Sequence, residues 1–347
     1  MSKWFVCICC VCYFSVSYAQ DFNLGIAAHL LSNNPASLNP GTANNKIKAA
    51  GIKYVRMDAL WRDVEINKGQ LTIPQKWDEV INEQKELGLE PILILAYGNK
   101  NYQNGDKPTD KESIEAYVKY ASYVVNHFKG RVKYYQIWNE WNGTAGATSV
   151  GSVRDYKILV KATYPAIKKT NPESVIITGE FSNGAFNKEL GLTSEDFLRV
   201  FLSQDMVNYT DVIGIHPYVV YRTPPYNGYW AYLSQIKYAS SLVKQSRGFS
   251  NKPLFITEIG WSTASSNKGV SESSQSKFIT NAICDAKKIG ISAVIIYQIR
   301  DGLPNNSHPT EPGFGIYKYN WDDKPIVSSL KVKVAGKRRS IIVISMI

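Results

Sequence analysis

The sequence predicts a single-domain (β/α)8 TIM barrel of the α/β class, on three observations. Short apolar runs alternate eight times with longer segments of helical periodicity. The runs are continuously apolar, the pattern of parallel strands buried on both faces. No Gly-rich phosphate loop follows the first of them, where His29-Leu30-Leu31 stands, so an open doubly wound sheet lacks support. With 347 residues, 44% of them hydrophobic, the chain can build one core of this size.

In chain order, the first strand covers 22–28 and ends at His29, and helix 43–50 is closed by Gly51. Strand 52–57 runs into Asp58, and helix 75–87 is closed by Gly88. Strand 91–96 opens into Tyr97-Gly98-Asn99, and helix 111–128 shows Ile114, Val118, Ala121 and Val125 at helical spacing. Strand 132–138 is followed by helix 153–169, and strand 174–178 by helix 194–203. Strand 211–215 leads into His216-Pro217-Tyr218, then helix 229–245. Strand 254–257 precedes helix 272–289, closed by Gly290, and strand 293–299 precedes a short helix at 325–331. No linker or repeat interrupts the series, so the barrel is expected to span 20–335.

The ends read differently. Lys3 precedes an apolar run over 4–16, and Ser17-Tyr18-Ala19 puts small residues where a signal peptidase reads. Residues 1–19 are expected to be a secretory signal, too short in its apolar run to anchor in a bilayer. A secreted or periplasmic bacterial protein is the corresponding expectation. Cys7, Cys9, Cys10 and Cys12 would leave with the signal, and Cys284 would remain without an internal partner. Of the net charge of +11, Lys331, Lys333, Lys337, Arg338 and Arg339 supply five in a stretch without acids. We read 336–347 as a solvated basic and apolar tail, not a nucleic-acid patch, and too short to insert stably into a membrane. The four histidines show no metal-ligand spacing, so no metal or organic cofactor is expected, nor a partner chain beyond a monomer.

In such barrels the C-terminal strand ends carry the site. Here they present His29, Arg56 and Asp58, Tyr97 and Asn99, Asn139 and Glu140, Glu180, His216 and Tyr218, Glu258, and Arg300 and Asp301. Two of these ends match each other: Ile137-Trp138-Asn139-Glu140-Trp141 and Ile256-Thr257-Glu258-Ile259-Gly260-Trp261. Each is an apolar strand delivering a glutamate to an open loop beside tryptophan. Two opposed carboxyls over one cleft are the requirement for cleaving a glycosidic bond with retention, at a separation of about 5–5.5 Å. Glu180 is the rival carboxylate, with a subsite or structural role expected. Asp58 and Glu65 are expected to pair with Arg56 or Arg62, and Asp301 with Arg300 or a substrate. Trp141, Trp230 and Trp261 lie where indole faces can stack on sugars.

These residues in this order resemble clan A glycoside hydrolases. Tyr54-Val55-Arg56-Met57-Asp58, Trp138-Asn139-Glu140, His216-Pro217-Tyr218, Thr257-Glu258 and Gly313-Phe314-Gly315-Ile316-Tyr317 are most similar to family 39-like endoglycosidases and β-xylosidases. The resemblance implies Glu140 as the acid/base and Glu258 as the nucleophile. It places Asn139 on the sugar's 2-hydroxyl, Tyr218 on the nucleophile, His216 on the sugar or acid/base, and Arg56 beside Glu258. Trp141 and Trp261 would line subsites. The clan usually presents tryptophan at the end of strand eight, where this chain has Tyr297, so Tyr297 or Trp321 would form that floor. The expected function is a retaining β-glycosidase, endo-acting on a bacterial exopolysaccharide. The alternatives are an exo-acting β-xylosidase or β-glucosidase, and a glycan-binding barrel that does not turn over.

Overall fold

Eight strands close on themselves in sequence order in the computed structural model, which describes residues 22–32, 38–182 and 196–331. They are β1 (Asn23–Ala27), β2 (Tyr54–Leu60), β3 (Glu90–Ala96), β4 (Tyr134–Ile137), β5 (Val175–Phe181), β6 (Val212–Ile215), β7 (Leu254–Ile259) and β8 (Ala293–Ile296). All neighbours pair parallel, and β1 joins β8 through Asn23↔Ala293 to Ile26↔Ile296. The (β/α)8 expectation is therefore met. The helices are α1 (Pro40–Ala49), α2 (Trp61–Val64), α3 (Gln75–Glu86), α4 (Lys111–His127), α5 (Val153–Thr170), α6 (Phe197–Phe201), α7 (Tyr229–Gln245) and α8 (Glu272–Ile289). Residues 325–331 are helical as expected. The predicted signal (1–19), the tail (336–347) and positions 194–195 of a predicted helix lie outside the described residues. Among the described residues no helix is long and apolar enough to cross a membrane. Cys284 is half-buried on α8 and unbridged.

Helix ends follow from their residues. Side-chain oxygens of Asn39, Asp110, Ser152 and Ser271 accept from first-turn amides of α1, α4, α5 and α8. Each such cap contributes about 1 kcal/mol. Gly290 ends α8 at φ 90, a left-handed conformation open to glycine.

Several elements differ from expectation for local reasons. β4 stops at Ile137 because Trp138 turns to φ 66, which no strand residue adopts. β5 runs on to Phe181 through a register shift at Gly179/Phe181, with Glu180 at φ 32 inside the irregularity. α2 is four residues long, too short for periodicity to reveal.

The core has two layers. Inside the barrel, Tyr54, Ile92, Ile177, Val212, Phe255, Ala293 and Ile295 fill the N-terminal half. The larger layer lies between strands and helices and includes Trp61, Trp77, Tyr117, Tyr120, Trp138 and Tyr156. Three of its hydroxyls reach the strand ends. Tyr120 donates to the Ala59 carbonyl, Tyr117 to Leu95 at 2.5 Å and Tyr156 to Ile137 at 2.9 Å. The rim of the barrel is thereby tied to α4 and α5, which is what holds the functional end rigid.

Candidate active site

Arg56 organises the C-terminal mouth. It points into the barrel from β2 with 3% of its surface exposed, and every nitrogen is engaged. Nη1 donates to Glu258 Oε1 at 2.5 Å, Nη2 to Asn139 Oδ1 at 2.7 Å and Nε to Gln136 Oε1 at 2.9 Å. One planar guanidinium thus fixes groups from β4, β7 and the turn after β4. Gln136 also donates to the Trp138 carbonyl at 2.7 Å. It was missed in the sequence, although a lone amide within Tyr134-Tyr135-Gln136-Ile137 was a signal.

Around Glu258 the charges compete. Desolvation favours its neutral form, but the charges of His216 and Arg56 and hydrogen bonds from Arg56 and Tyr218 hold its carboxyl below the usual range. The Tyr218 hydroxyl donates to Oε2 at 3.1 Å. Glu140 stands opposite, at φ 47 just past β4, its side chain 22% exposed against 11% for Glu258. His216 sits between them, with Nδ1 at 2.9 Å from Glu140 Oε1 and 4.0 Å from Glu258 Oε2. The closest ligand atoms of the three groups lie within 4.8 Å of one another. Geometry alone would admit a cation there, but Arg56 already neutralises Glu258 and His216 Nδ1 hydrogen-bonds Glu140, which accounts for the arrangement.

The cleft above them holds about 280 Å³ and is lined by His29, Arg56, Asp58, Tyr97, Asn139, Glu140, Ala145, Ser182, Tyr218, Tyr221, Glu258, Tyr297 and Glu311. Asn139 Nδ2 donates to the Tyr97 hydroxyl at 2.9 Å. Asp58 pairs with His29 at 2.6 Å, correcting the expected pairing with arginine. Desolvation opposes the imidazolium of His29, and the Asp58 carboxylate more than offsets it, raising its pKa. Glu311 accepts from the Tyr297 hydroxyl at 3.3 Å and from Tyr221. Ser182, Tyr221 and Glu311 come from beyond the strand ends, where no periodicity marks them.

Of the predicted site residues, Glu140, Glu258, Asn139, Tyr218, Arg56 and Tyr297 line one cleft, and His216 lies beneath it, hydrogen-bonded to Glu140. Trp141 and Trp261 do not. Trp141 is fully buried, its Nε1 donating to the Ser152 carbonyl at 2.8 Å. Trp261 packs against Tyr229, Tyr232 and Phe278. Both indoles turn down between strands and helices, so neither has a face free for sugar. Trp321 lies away from the cleft, against Tyr317 and Arg300, whereas Tyr297 lines it. Glu180 is 1% exposed and no subsite. Glu65 is held by Trp61, Gly69 and Tyr102, and Asp301 by Lys324 at 2.8 Å, not by their neighbouring arginines.

Residues 18–296 match the family described as cellulase (glycosyl hydrolase family 5). Among solved structures, the chain is similar to a family 39 glycoside hydrolase from Bacteroides cellulosilyticus WH2. That match has a TM-score of 0.72 at 21% identity and covers 90% of this chain and 63% of that one. A monomeric beta-xylosidase from Caulobacter crescentus CB15 gives 0.70 at 18% identity, over 90% and 68%. Xylanase 10B from Thermotoga maritima gives 0.65 at 17% identity, over 93% and 97%. The chain thus spans less than two thirds of the family 39 enzyme's length. At these identities the structural matches show the shared fold.

Proposed function

The chain belongs to the cellulase family, glycosyl hydrolase family 5, and is a clan A glycoside hydrolase; from that premise we propose that it is a retaining β-glycosidase, with Glu258 as nucleophile and Glu140 as acid/base. One observation carries this reading: carboxylate oxygens of the two residues approach within 4.8 Å across the cleft. That close approach suits the short carboxyl spacing of a retaining pair, about 5–5.5 Å, better than the wider spacing of an inverting one.

The roles follow from the environments. Glu258, ionised by Arg56 and Tyr218, attacks the anomeric carbon and becomes its ester. Glu140 gives its proton to the glycosidic oxygen, and the aglycone leaves. A water then yields a proton to the Glu140 carboxylate while its oxygen attacks the same carbon, releasing Glu258 and a product of unchanged anomeric configuration. Asn139, oriented by Arg56 and with Nδ2 on Tyr97, is placed to meet the 2-hydroxyl of the sugar, a bond that strengthens at the transition state. His216, hydrogen-bonded to Glu140 through Nδ1, keeps Glu140 aimed as the charge passes from Glu258 to Glu140.

For substrate, the reading is a β-linked polysaccharide cut internally, acting outside the cytoplasm as a monomer. The long connections after β3, β4 and β6 (97–110, 138–152 and 216–228) offer walls for a polymer, which supports internal cleavage. The neighbours bear both a xylanase and a beta-xylosidase name, so an exo-acting β-xylosidase is the second reading. Purified protein and its Glu258→Gln variant, incubated with β-linked polysaccharides and aryl β-glycosides, distinguish the two. Oligosaccharides from the wild type alone support internal cleavage, and release from aryl glycosides alone supports the exo reading. Equal products from both proteins would overturn the role of Glu258.

A further inference from the structure

A third glutamate lies behind the pair and takes no part in the steps above. Glu180 is 1% exposed at φ 32, and its Oε1 has no hydrogen-bond partner among the described residues. Its Oε2 is 3.3 Å from the Tyr156 hydroxyl. That hydroxyl lies closer to the Ile137 carbonyl, at 2.9 Å, and accepts from the Gly179 amide at 3.1 Å. A hydroxyl has one hydrogen, and a carbonyl can only accept. The contact with Glu180 is completed when the carboxyl itself supplies the proton.

The charges around it agree. Among the described residues, the charged and titratable groups that bear on it are Arg56, Tyr117 and Tyr156, with Glu140 and His216 joined to its strand through their backbone amides. Arg56 is the one permanent cation among them, and its three nitrogens are spent on Glu258, Asn139 and Gln136. An ionised Glu180 would be a buried charge on a single long bond, which carboxyls avoid by keeping their proton. Burial pushes its carboxyl well above the usual range, against the opposing pull of Arg56 and Tyr156. Gly214 makes the room: a Cβ there would stand 2.7 Å from Glu180 Cγ.

We propose that Glu180 is a positioning residue that works as a neutral, proton-donating acid, holding from β5 both ends of the turn that presents Glu140. At one end it acts through Tyr156 on the Ile137 carbonyl. At the other, the Glu180 carbonyl accepts from the Glu140 amide at 3.1 Å. The effect on catalysis rests on Glu140 being the acid/base; the protonation of Glu180 does not.

The test uses the full chain with Glu180→Gln, Glu180→Leu and Tyr156→Phe. Infrared difference spectra at neutral pH should show a protonated-carboxyl carbonyl stretch in the wild type that Glu180→Gln lacks. On an aryl β-glycoside, Glu180→Leu and Tyr156→Phe should lower kcat by about 10- to 100-fold with KM held, the scale of a misplaced catalytic group. Glu180→Gln should restore kcat, because its amide donates to Tyr156 as the acid does. No band difference at neutral pH, or a Glu180→Gln variant as inactive as Glu140→Gln, would overturn the proposal. If the wild type cleaves neither an aryl β-glycoside nor any β-linked polysaccharide, the proposed function fails while the infrared band still decides the state of Glu180.

Discussion

The two halves of the barrel interior share strands but not chemistry. On β2, Tyr54 belongs to the apolar base and Arg56, two residues on, to the mouth. On β7, Phe255 lies in the base and Glu258 in the cleft. The base is close-packed and gives rigidity. The mouth is a hydrogen-bonded network in which one arginine is shared by three acceptors. The comparison teaches that this network can be charged because the base beneath it does not yield: a buried ion pair is worth its desolvation when geometry is held fixed. Breaking the mouth should therefore abolish chemistry first, and breaking the base should abolish stability first.

The largest effect is expected at the carboxyls. Glu140→Gln should lower polymer hydrolysis by roughly 10²–10⁴-fold, the range of a general acid–base contribution. Glu258→Gln should cost at least as much, and should also lower the melting temperature, because it leaves the buried Arg56 guanidinium without its counter-charge. Arg56→Met comes next, since it strands the buried Glu258 charge, and unfolding titrations should show a loss of about 3–5 kcal/mol. It also changes the pH profile. Glu258 is depressed in the native state, so its contribution to stability is present above the ordinary glutamate value of about 4.3. That contribution is lost as pH falls through the lower native value. Without Arg56 the acid limb of kcat/KM should move to higher pH.

In the base, Phe255→Ala should cost about 3–5 kcal/mol of stability by chemical denaturation, with kcat of the folded fraction nearly unchanged. A comparable fall in kcat would contradict the division between the halves. Tyr218→Phe should be smaller, about 1.5–3 kcal/mol as the loss of a hydrogen bond to a charged group, read as lower kcat/KM. Trp261→Phe should be smallest in function. It should lower the melting temperature and leave KM alone, because its indole packs beneath the rim.

The same division explains what could be read in advance. Strand positions were clear because buried parallel strands are continuously apolar, and a polar residue ending one is conspicuous. Arg56, Asn139, Glu140, His216, Tyr218 and Glu258 all announce themselves so. Direction beyond the last strand residue is another matter. Trp141 and Trp261 follow their glutamates closely, yet the positive φ of Trp138 and Glu140 and the packing of Trp261 on Tyr229 set where they point, and composition carries neither. Glu180 sits at a strand end by sequence, but the register shift in β5 turns it inward. Tyr221 and Glu311 reach the cleft from loops whose path depends on the whole rim.

The most direct measurement of the central claim is to trap the covalent intermediate. The protein would be treated with a 2-deoxy-2-fluoro aryl β-glycoside of the sugar it accepts, then digested and mapped by mass. The account predicts one glycosyl adduct on the peptide bearing Glu258, absent from Glu258→Gln. An adduct on another residue, or a product of inverted anomeric configuration, would contradict it.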